Sequence, residues 1–258
     1  MKVFELYHEN SKLSQWDWEY FSHLRIVNET NVGAVLGSKP SVDPPCSSRV
    51  HLSPPDIPSL TLREALEARR SSSAETLTPI TSRQLSTLLH FSSGLNGSFN
   101  VGGHQTPLRY YPSPGGLFPT TVWIEVRVVD DLTRGIYAYD ASQHALVDMG
   151  GDTTALVDAT RWSTFPSNWS CLIWLMARLD RLTFKYGERS YRFALLEAGH
   201  IAQNFLLVAT AMKLSSRPIG GFYDDDVIRA VGLDRYDSLP LYAIGIAASQ
   251  EDVGAMDY

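Results

Sequence analysis

The longest helical pattern in the chain runs from Ser190 to Leu214, and it limits the folds that the chain can adopt. Its apolar residues near helical spacing are Leu195, Ala198, Ala202, Phe205, Ala209 and Met212. Because the apolar residues cover more than one face, we expect this helix to be buried on several sides, one of them a subunit contact. Glu197 and His200 interrupt the apolar run, which distinguishes it from a membrane span.

Shorter patterns predict a mixture of helices and strands around this helix. The capping boxes Thr61-Leu62-Arg63-Glu64 and Thr81-Ser82-Arg83-Gln84 each predict the start of a helix, the second ending at Gly94. The alternation from Thr120 to Val129 predicts a half-buried strand. Further strands are predicted at 136–139 and 145–147, which form a hairpin, and at 172–176 and 239–247. Since helices and strands do not alternate strictly, the predicted fold class is α+β.

Composition divides the chain into three parts. Residues 1–36 form a predicted N-terminal arm with several aromatic residues. Residues 37–59 hold closely spaced prolines among serines and predict an extended linker, because proline lacks the amide proton and disfavours helix in the preceding residue. Residues 60–258 form the predicted main domain.

Charge and cysteine content exclude several classes of protein. The 258-residue chain has a formal net charge of −6, which argues against a nucleic-acid binder. Its two cysteines, Cys46 and Cys171, are far apart and have no neighbouring ligands, so neither a disulfide framework nor a metal site is predicted. Residues Met1–Glu9 carry charges where a signal peptide needs an apolar run, so we expect a cytoplasmic protein with no membrane partner.

Arg69-Arg70-Ser71 is the first of three clusters that could carry chemistry. Two guanidinium groups and a hydroxyl group suit a phosphate, because arginine offers a planar fork of donors. The alternative is a solvated helix end, where arginine complements the helix dipole.

The second cluster is the loop from Arg109 to Pro119, which contains Ser113, Gly115 and Gly116. Adjacent glycines allow a backbone to approach a flat ligand closely, and Ser113 could hydrogen-bond to the edge of a polar ring. The alternative is an ordinary turn that leads into the strand from Thr120.

The third cluster surrounds Lys185 and Tyr186. An ammonium group beside a phenol favours the phenolate, so the two side chains together could accept a proton. Neighbouring residues of a strand face opposite sides, so cooperation requires a loop or a turn, which Gly187 would allow. The alternative is a charged loop before the long helix.

In their order along the chain, these clusters resemble the SagB-type dehydrogenases (azoline oxidases), a branch of the FMN-dependent nitroreductase-like superfamily. The similarity is strongest at Lys185-Tyr186-Gly187-Glu188-Arg189-Ser190-Tyr191-Arg192-Phe193 and at Glu197-Ala198-Gly199-His200-Ile201-Ala202-Gln203-Asn204. It also includes Arg69-Arg70-Ser71, the loop up to Pro119, Gly220-Gly221-Phe222 and Leu239 to Gly245, and so covers most of the chain.

The resemblance implies a nitroreductase-like fold: an antiparallel-rich mixed sheet flanked by helices, with the long helix buried at the interface of a homodimer. It implies FMN at each subunit interface, with its phosphate held by Arg69, Arg70 and Ser71. Ser113, Gly115 and Gly116 would reach the flavin from the partner subunit. Gly220 and Gly221 would lie against the flavin ring.

The resemblance also implies a reaction. Lys185 and Tyr186 match the catalytic pair of enzymes that oxidise thiazolines or oxazolines in peptide natural products, with hydride passing to FMN, a proton to a base and electrons to dioxygen. The substrate would be a peptide or a carrier-bound heterocycle, delivered with a cyclodehydratase or a peptide synthetase. Two alternatives remain: a flavin reductase of the nitroreductase kind that uses NAD(P)H, and a non-catalytic scaffold subunit.

The chain departs from the family pattern where the phosphate is held. Ser73 stands where relatives often have a further basic residue, and Ile246 to Ser249 contains no basic residue. Either FMN binding is modest or another residue substitutes.

Overall fold

The structure is a computed structural model that describes residues 2–12, 48–72, 74, 77–101, 104–151, 153–160, 168–233 and 238–249. Most of the predicted arm, the first part of the predicted linker, Cys46 and Ser73 lie outside the described residues.

A seven-stranded sheet forms the centre of the described fold, and each of its strand pairs is antiparallel. Its strands are β1 Arg49–His51, β5 Thr120–Val126, β7 Gly135–Asp140, β8 Ala145–Asp148, β9 Cys171–Ala177, β10 Leu214–Ile219 and β11 Leu239–Ala248. Across the sheet they follow the order β1-β8-β7-β5-β9-β11-β10. Two short pairs lie outside this sheet: β2 Ile80–Thr81 with β6 Val129–Asp130 in parallel, and β3 Leu95–Val101 with β4 His104–Arg109. The predicted hairpin and the strands at 172–176 and 239–247 are confirmed.

Helices cover both faces of the sheet. Their bounds are α1 Val3–Asn10, α2 Leu62–Ala68, α3 Ser82–Ser93, α4 Thr153–Ala159, α5 Asp180–Tyr186, α6 Ser190–Ala211 and α7 Asp224–Ala230. On one face α3 and α6 bury Leu88 and Phe205 in the same core as Ile124 of the sheet. On the other face α4 and α7 bury Leu156 and Val227 against the sheet side chains that point to that face. These layers confirm the predicted fold class and the mostly antiparallel sheet flanked by helices.

The long predicted helix is present as α6. Its stretch with α5, residues 180–211, has the length and apolar composition of a membrane span, but many of its apolar residues pack on the sheet. Large apolar side chains remain exposed on its outer side: Tyr191 is 37%, Leu195 42% and Leu196 54% exposed. This apolar strip lies where the sequence predicts a subunit contact.

Strand β5 is buried on both faces, so the predicted half-buried strand is wrong in that respect. Trp123 is 2% exposed and Glu125 is fully buried, although the alternating pattern placed both on a solvent-facing side. Glu125 forms an ion pair inside the protein, since Arg127 Nε lies 2.6 Å from Glu125 Oε1. Helices α4 and α7 pack on the face that the charged residue Glu125 predicts to be exposed to solvent.

Both predicted helix starts are confirmed by reciprocal capping. The Thr61 side chain accepts from Glu64 N and the Thr81 side chain accepts from Gln84 N, while each acidic or amide side chain bonds back to the capping backbone. Gly94 ends α3 as predicted, but with an extended backbone (φ −72°) instead of a left-handed one. Glycine suits this position because a Cβ there would lie 2.4 Å from the His90 carbonyl oxygen.

The end of the predicted linker is part of the folded sheet. Residues Arg49–His51 form edge strand β1, paired with Ala145–Val147 of β8. The N-terminal helix α1 also contacts the domain: the Tyr7 and Tyr191 rings meet edge to face at 5.6 Å, and Arg189 donates to the Ser11 carbonyl at 2.8 Å.

Candidate active site

Lys185 and Tyr186 lie at the C-terminal end of helix α5. The helix ends at Gly187, which has the positive φ of 49° that glycine adopts readily. Tyr186 itself leaves helical geometry as the chain turns into a short 3₁₀ segment, Gly187–Arg189. The turn that the sequence predicts is therefore present.

The polar ends of these two side chains converge on the backbone of Gly115. A Cβ built at Gly115 would lie 2.6 Å from Tyr186 Oη and 2.9 Å from Lys185 Nζ. The ammonium nitrogen also lies 5.3 Å from the centre of the Tyr186 ring. The structure thus brings together three residues that the sequence predicts to be functional, although Gly115 is 70 positions before Lys185.

Gly115 belongs to a tight turn in which two successive residues, Gly115 and Gly116, have left-handed backbones with φ of 61° and 68°. The turn is closed by hydrogen bonds within the loop: Phe118 N donates to Ser113 Oγ at 2.8 Å and Gly116 N donates to the Ser113 carbonyl at 3.2 Å. The Ser113 hydroxyl oxygen is therefore engaged by its own loop, a role that the sequence does not reveal.

Side chains of α5 and α6 form hydrogen bonds with the backbone of this loop and of the residues on either side of it. Arg181 Nη1 donates to the Phe118 carbonyl at 3.1 Å. Thr120 N donates to Glu197 Oε1 at 3.0 Å, and Asn204 Nδ2 donates to the Tyr110 carbonyl at 3.1 Å. The polar residues of the long helix thus fasten the glycine turn against the end of α5.

Glu197 is fully buried, and burial raises the pKa of its carboxyl group above the ordinary value of 4.5. Hydrogen bonding by Ser113 and Thr120 lowers the pKa in the opposite direction without cancelling this effect. The sequence marks Glu197 as an acidic residue within an apolar helix and as part of a motif, but it does not predict that Glu197 holds the loop.

Arg69, Arg70 and Ser71 lie just beyond α2, beside edge strand β10. The next residue, Ser72, exchanges hydrogen bonds with Ser216: Ser72 N donates to the Ser216 carbonyl at 3.0 Å, and Ser216 N donates to Ser72 Oγ at 2.9 Å. Arg70 Nη1 donates to the carbonyls of Glu67 and Arg69, both at 2.9 Å. Ser71 and Arg70 are exposed to solvent.

Gly220 and Gly221 follow the other end of the same edge strand, before α7. Gly220 is exposed, and the nearest atom to a Cβ there would be Tyr242 Cε2 at 3.7 Å. Strand β10 therefore carries the arginine-serine segment at Ser216 and the glycine pair at its end, so these two predicted groups share one edge. Among the described residues, neither group forms a hydrogen bond, ion pair or ring contact with Lys185 or Tyr186.

Among the described residues, no group of three His, Cys, Asp or Glu side chains could hold a metal ion. Cys171 is buried and has a free thiol whose pKa burial raises to about 12. Cys171 therefore adds no reactive group to the surroundings of Lys185 and Tyr186 or to the segments along β10.

Comparison with known proteins agrees with this architecture. The profile of the nitroreductase family matches residues 66–247, a range that includes the arginine-serine segment, the Gly115 turn, Lys185, Tyr186 and the glycine pair. The chain belongs to the nitroreductase family.

Two relatives of known sequence are similar to this chain. The protein MJ1384 of Methanocaldococcus jannaschii, named as a nitroreductase, is 28% identical over 187 residues, or 72% of this chain and 91% of the relative. The microcin B17-processing protein McbC of Escherichia coli is 28% identical over 151 residues, which span 52% of each protein.

Solved structures of other proteins share the fold. A chain of the E. coli microcin synthetase McbBCD complex, with truncated pro-MccB17 bound, matches with a TM-score of 0.62 and 21% identity over 94% of this chain and all of that chain. A nitroreductase of Exiguobacterium sibiricum in complex with FMN matches with a TM-score of 0.53 and 12% identity over 78% of this chain and 94% of that chain. Members of this fold therefore include FMN-binding proteins.

The residues along β10 fit an FMN group. Arg69 makes no side-chain hydrogen bond or ion pair with the described residues, Arg70 bonds only to carbonyls there, and the Ser71 hydroxyl is open to solvent. Such a set of donors suits a phosphate. The exposed Gly220 backbone, with no side chain to obstruct it, suits a flat ring.

Proposed function

We propose that this nitroreductase-family protein is an FMN-dependent oxidase of the SagB type, which oxidises a thiazoline or oxazoline in a peptide natural product. The observation that carries the proposal is the convergence of Lys185 Nζ and Tyr186 Oη on Gly115. The similarity to McbC and to a chain of the McbBCD complex supports an azoline in a peptide as the substrate class.

Aromatising an azoline removes two hydrogens from neighbouring ring carbons, one as a hydride and one as a proton. Bound FMN would supply the acceptor for the hydride, with dioxygen as the final electron acceptor. We assign the proton to Tyr186 Oη, which lies with the Lys185 ammonium group beside the Gly115 turn. Arg69, Arg70 and Ser71 would hold the phosphate, and Gly220 and Gly221 would lie against the ring.

The two clusters would complete one another in a homodimer. The Gly115 turn lies against Lys185 and Tyr186, the phosphate and ring segments adjoin β10, and an apolar strip of α6 is exposed. A partner subunit that covers this strip would bring its own Gly115 turn, and with it the Lys-Tyr pair, to the flavin. We keep Ser113 in this scheme as the residue that closes the turn.

The proposal is tested with FMN-loaded protein and a peptide that contains a synthetic thiazoline, in air. We expect the mass of the peptide, measured by mass spectrometry, to decrease by two hydrogens. The absorbance of a thiazole should appear at the same time. The double variant Lys185→Met with Tyr186→Phe should retain its flavin spectrum but produce no thiazole. Near-normal oxidation by the double variant would remove Lys185 and Tyr186 from the mechanism.

A second candidate is a reductase that takes electrons from NAD(P)H. It is favoured by the similarity to MJ1384, which extends over 91% of that protein. Rapid bleaching of the bound flavin by NADPH without any peptide, combined with inactivity on the thiazoline peptide, would select this candidate over the first.

A further inference from the structure

Arg217 of β10 lies beside the segment that we assign to the FMN phosphate. Its Nη1 donates to the Ser72 carbonyl at 3.4 Å, across 145 positions of sequence. The neighbouring Ser216 is tied to the same residue through Ser72 N and Ser72 Oγ. Arg217 is half-buried, so its guanidinium group is held at the turn instead of extending freely into solvent.

Arg217 lies beside a strand, β11, that has no basic residue after Gly245 within the described residues. Arg217 is paired with Gly245 of β11, and paired residues of an antiparallel sheet lie on the same face. The residues after Gly245, from Ile246 to Ser249, contribute no positive charge to that face. At this pair of residues the positive charge is therefore that of Arg217 in β10.

Three arginines adjoin one turn: Arg69 and Arg70 closely precede Ser72 in the chain, and Arg217 donates to the Ser72 carbonyl. Like charges repel one another, and such a cluster is stabilised by an anion that all of them contact. A phosphate dianion offers enough oxygens for several guanidinium forks, and arginine binds it in two-pronged geometry. In a chain of net charge −6, this local excess of positive charge points to an anionic ligand.

We propose that Arg217 completes the phosphate clamp for FMN, opposite Arg69 and Arg70, in place of the absent basic residues after Gly245. The inference rests on the proposed function, because it takes FMN as the ligand. It predicts that Arg217 contributes to binding only through the phosphate group. Riboflavin has the same ring and ribityl chain but no phosphate, and therefore isolates that contribution.

The experiment measures the affinities of flavin-free protein for FMN and for riboflavin by quenching of flavin fluorescence. In Arg217→Met, which keeps the apolar length of the side chain, we expect FMN to bind about 10- to 100-fold more weakly, with riboflavin unchanged. Arg217→Lys should fall between Met and wild type, because it retains the charge but loses the fork. Lys213→Met is the matched control: it removes one exposed positive charge immediately before β10 and should leave both affinities unchanged.

The possible results separate the two proposals. Equal weakening of FMN and riboflavin in the Arg217 variants, or no weakening of either, would overturn the role of Arg217 while leaving FMN binding intact. Failure of the wild-type protein to prefer FMN over riboflavin would instead overturn the phosphate site itself. Circular dichroism of each variant shows that it is folded, and Arg217→Lys decides the question should Arg217→Met fail to fold.

Discussion

Gly115 approaches Tyr186 so closely that a Cβ at Gly115 would lie 2.6 Å from the Tyr186 hydroxyl oxygen. The same position lies 2.9 Å from Lys185 Nζ, so a side chain on this glycine would displace both polar groups. Gly116, the next residue, has a similar left-handed backbone but no atom within 4 Å of its Cβ position. A comparison of the two glycines therefore distinguishes contact with Lys185 and Tyr186 from the strain of a left-handed backbone.

Gly115→Ala should greatly reduce turnover, whereas Gly116→Ala should not. Both variants place alanine in a left-handed conformation, which costs about 1–2 kcal/mol, so they should lose similar stability. Only Gly115→Ala forces Lys185 and Tyr186 apart, and we expect its rate of thiazoline oxidation to fall at least about tenfold, equivalent to about 1.4 kcal/mol in the barrier. Rates and urea-unfolding curves of the two variants are compared. Equal rates in the two variants would show that the contact with Tyr186 does not matter for turnover.

Glu197 should make the protein less stable as the pH rises. Because burial raises the pKa of its carboxyl group in the folded state, the folded protein binds more protons than the unfolded chain between pH 4.5 and that raised pKa. The free energy of unfolding therefore decreases as pH increases through this range.

Glu197→Gln should reduce that decrease, since glutamine keeps an oxygen for Thr120 N but does not ionise. Urea unfolding of wild type and variant at several pH values between 4.5 and 8 gives the measurement. The difference between the two proteins isolates Glu197 from Glu125, whose pKa burial also raises. Parallel pH profiles would contradict the prediction.

Arg69→Ala and Arg70→Ala should purify with much less FMN than wild type. Each variant removes a guanidinium group from the predicted phosphate site, and hydrogen bonds to charged groups contribute about 1.5–3 kcal/mol. The ratio of flavin to protein absorbance in the purified protein measures this loss. Arg63→Ala, which removes a largely exposed arginine from the preceding helix α2, is the control and should keep its flavin. Unchanged flavin content in both variants would count against the phosphate assignment.

Arg127→Met should destabilise the fold more than the removal of both charges. Arg127 and Glu125 side chains are 9% and 0% exposed, so the single change leaves a buried carboxyl group without this partner. Such a loss typically costs about 3–5 kcal/mol. The double variant Glu125→Gln with Arg127→Met should recover part of that stability. Urea unfolding of the single and double variants provides the test, and a double variant no more stable than Arg127→Met would argue against the ion-pair explanation.

The sequence predicts the elements of this protein well because their signals are local. The capping boxes at Thr61 and Thr81 depend on residues three positions apart, and the apolar run at 172–176 depends on its own composition. Burial of Glu125 could not be predicted in this way, since a charged residue in an alternating pattern indicates solvent. The helices that cover its face come from distant parts of the chain.

Local patterns were sufficient to predict the mixed fold class, the starts of α2 and α3, the long apolar helix and the residue types that chemistry would need. Which of these residues meet depends on tertiary packing. The order of the strands and the packing of α5 and α6 place Gly115 against Lys185 and Tyr186, and they place Arg217 beside Ser72. Contacts between residues tens of positions apart depend on how the whole sheet assembles, and no pattern of neighbouring residues specifies that assembly.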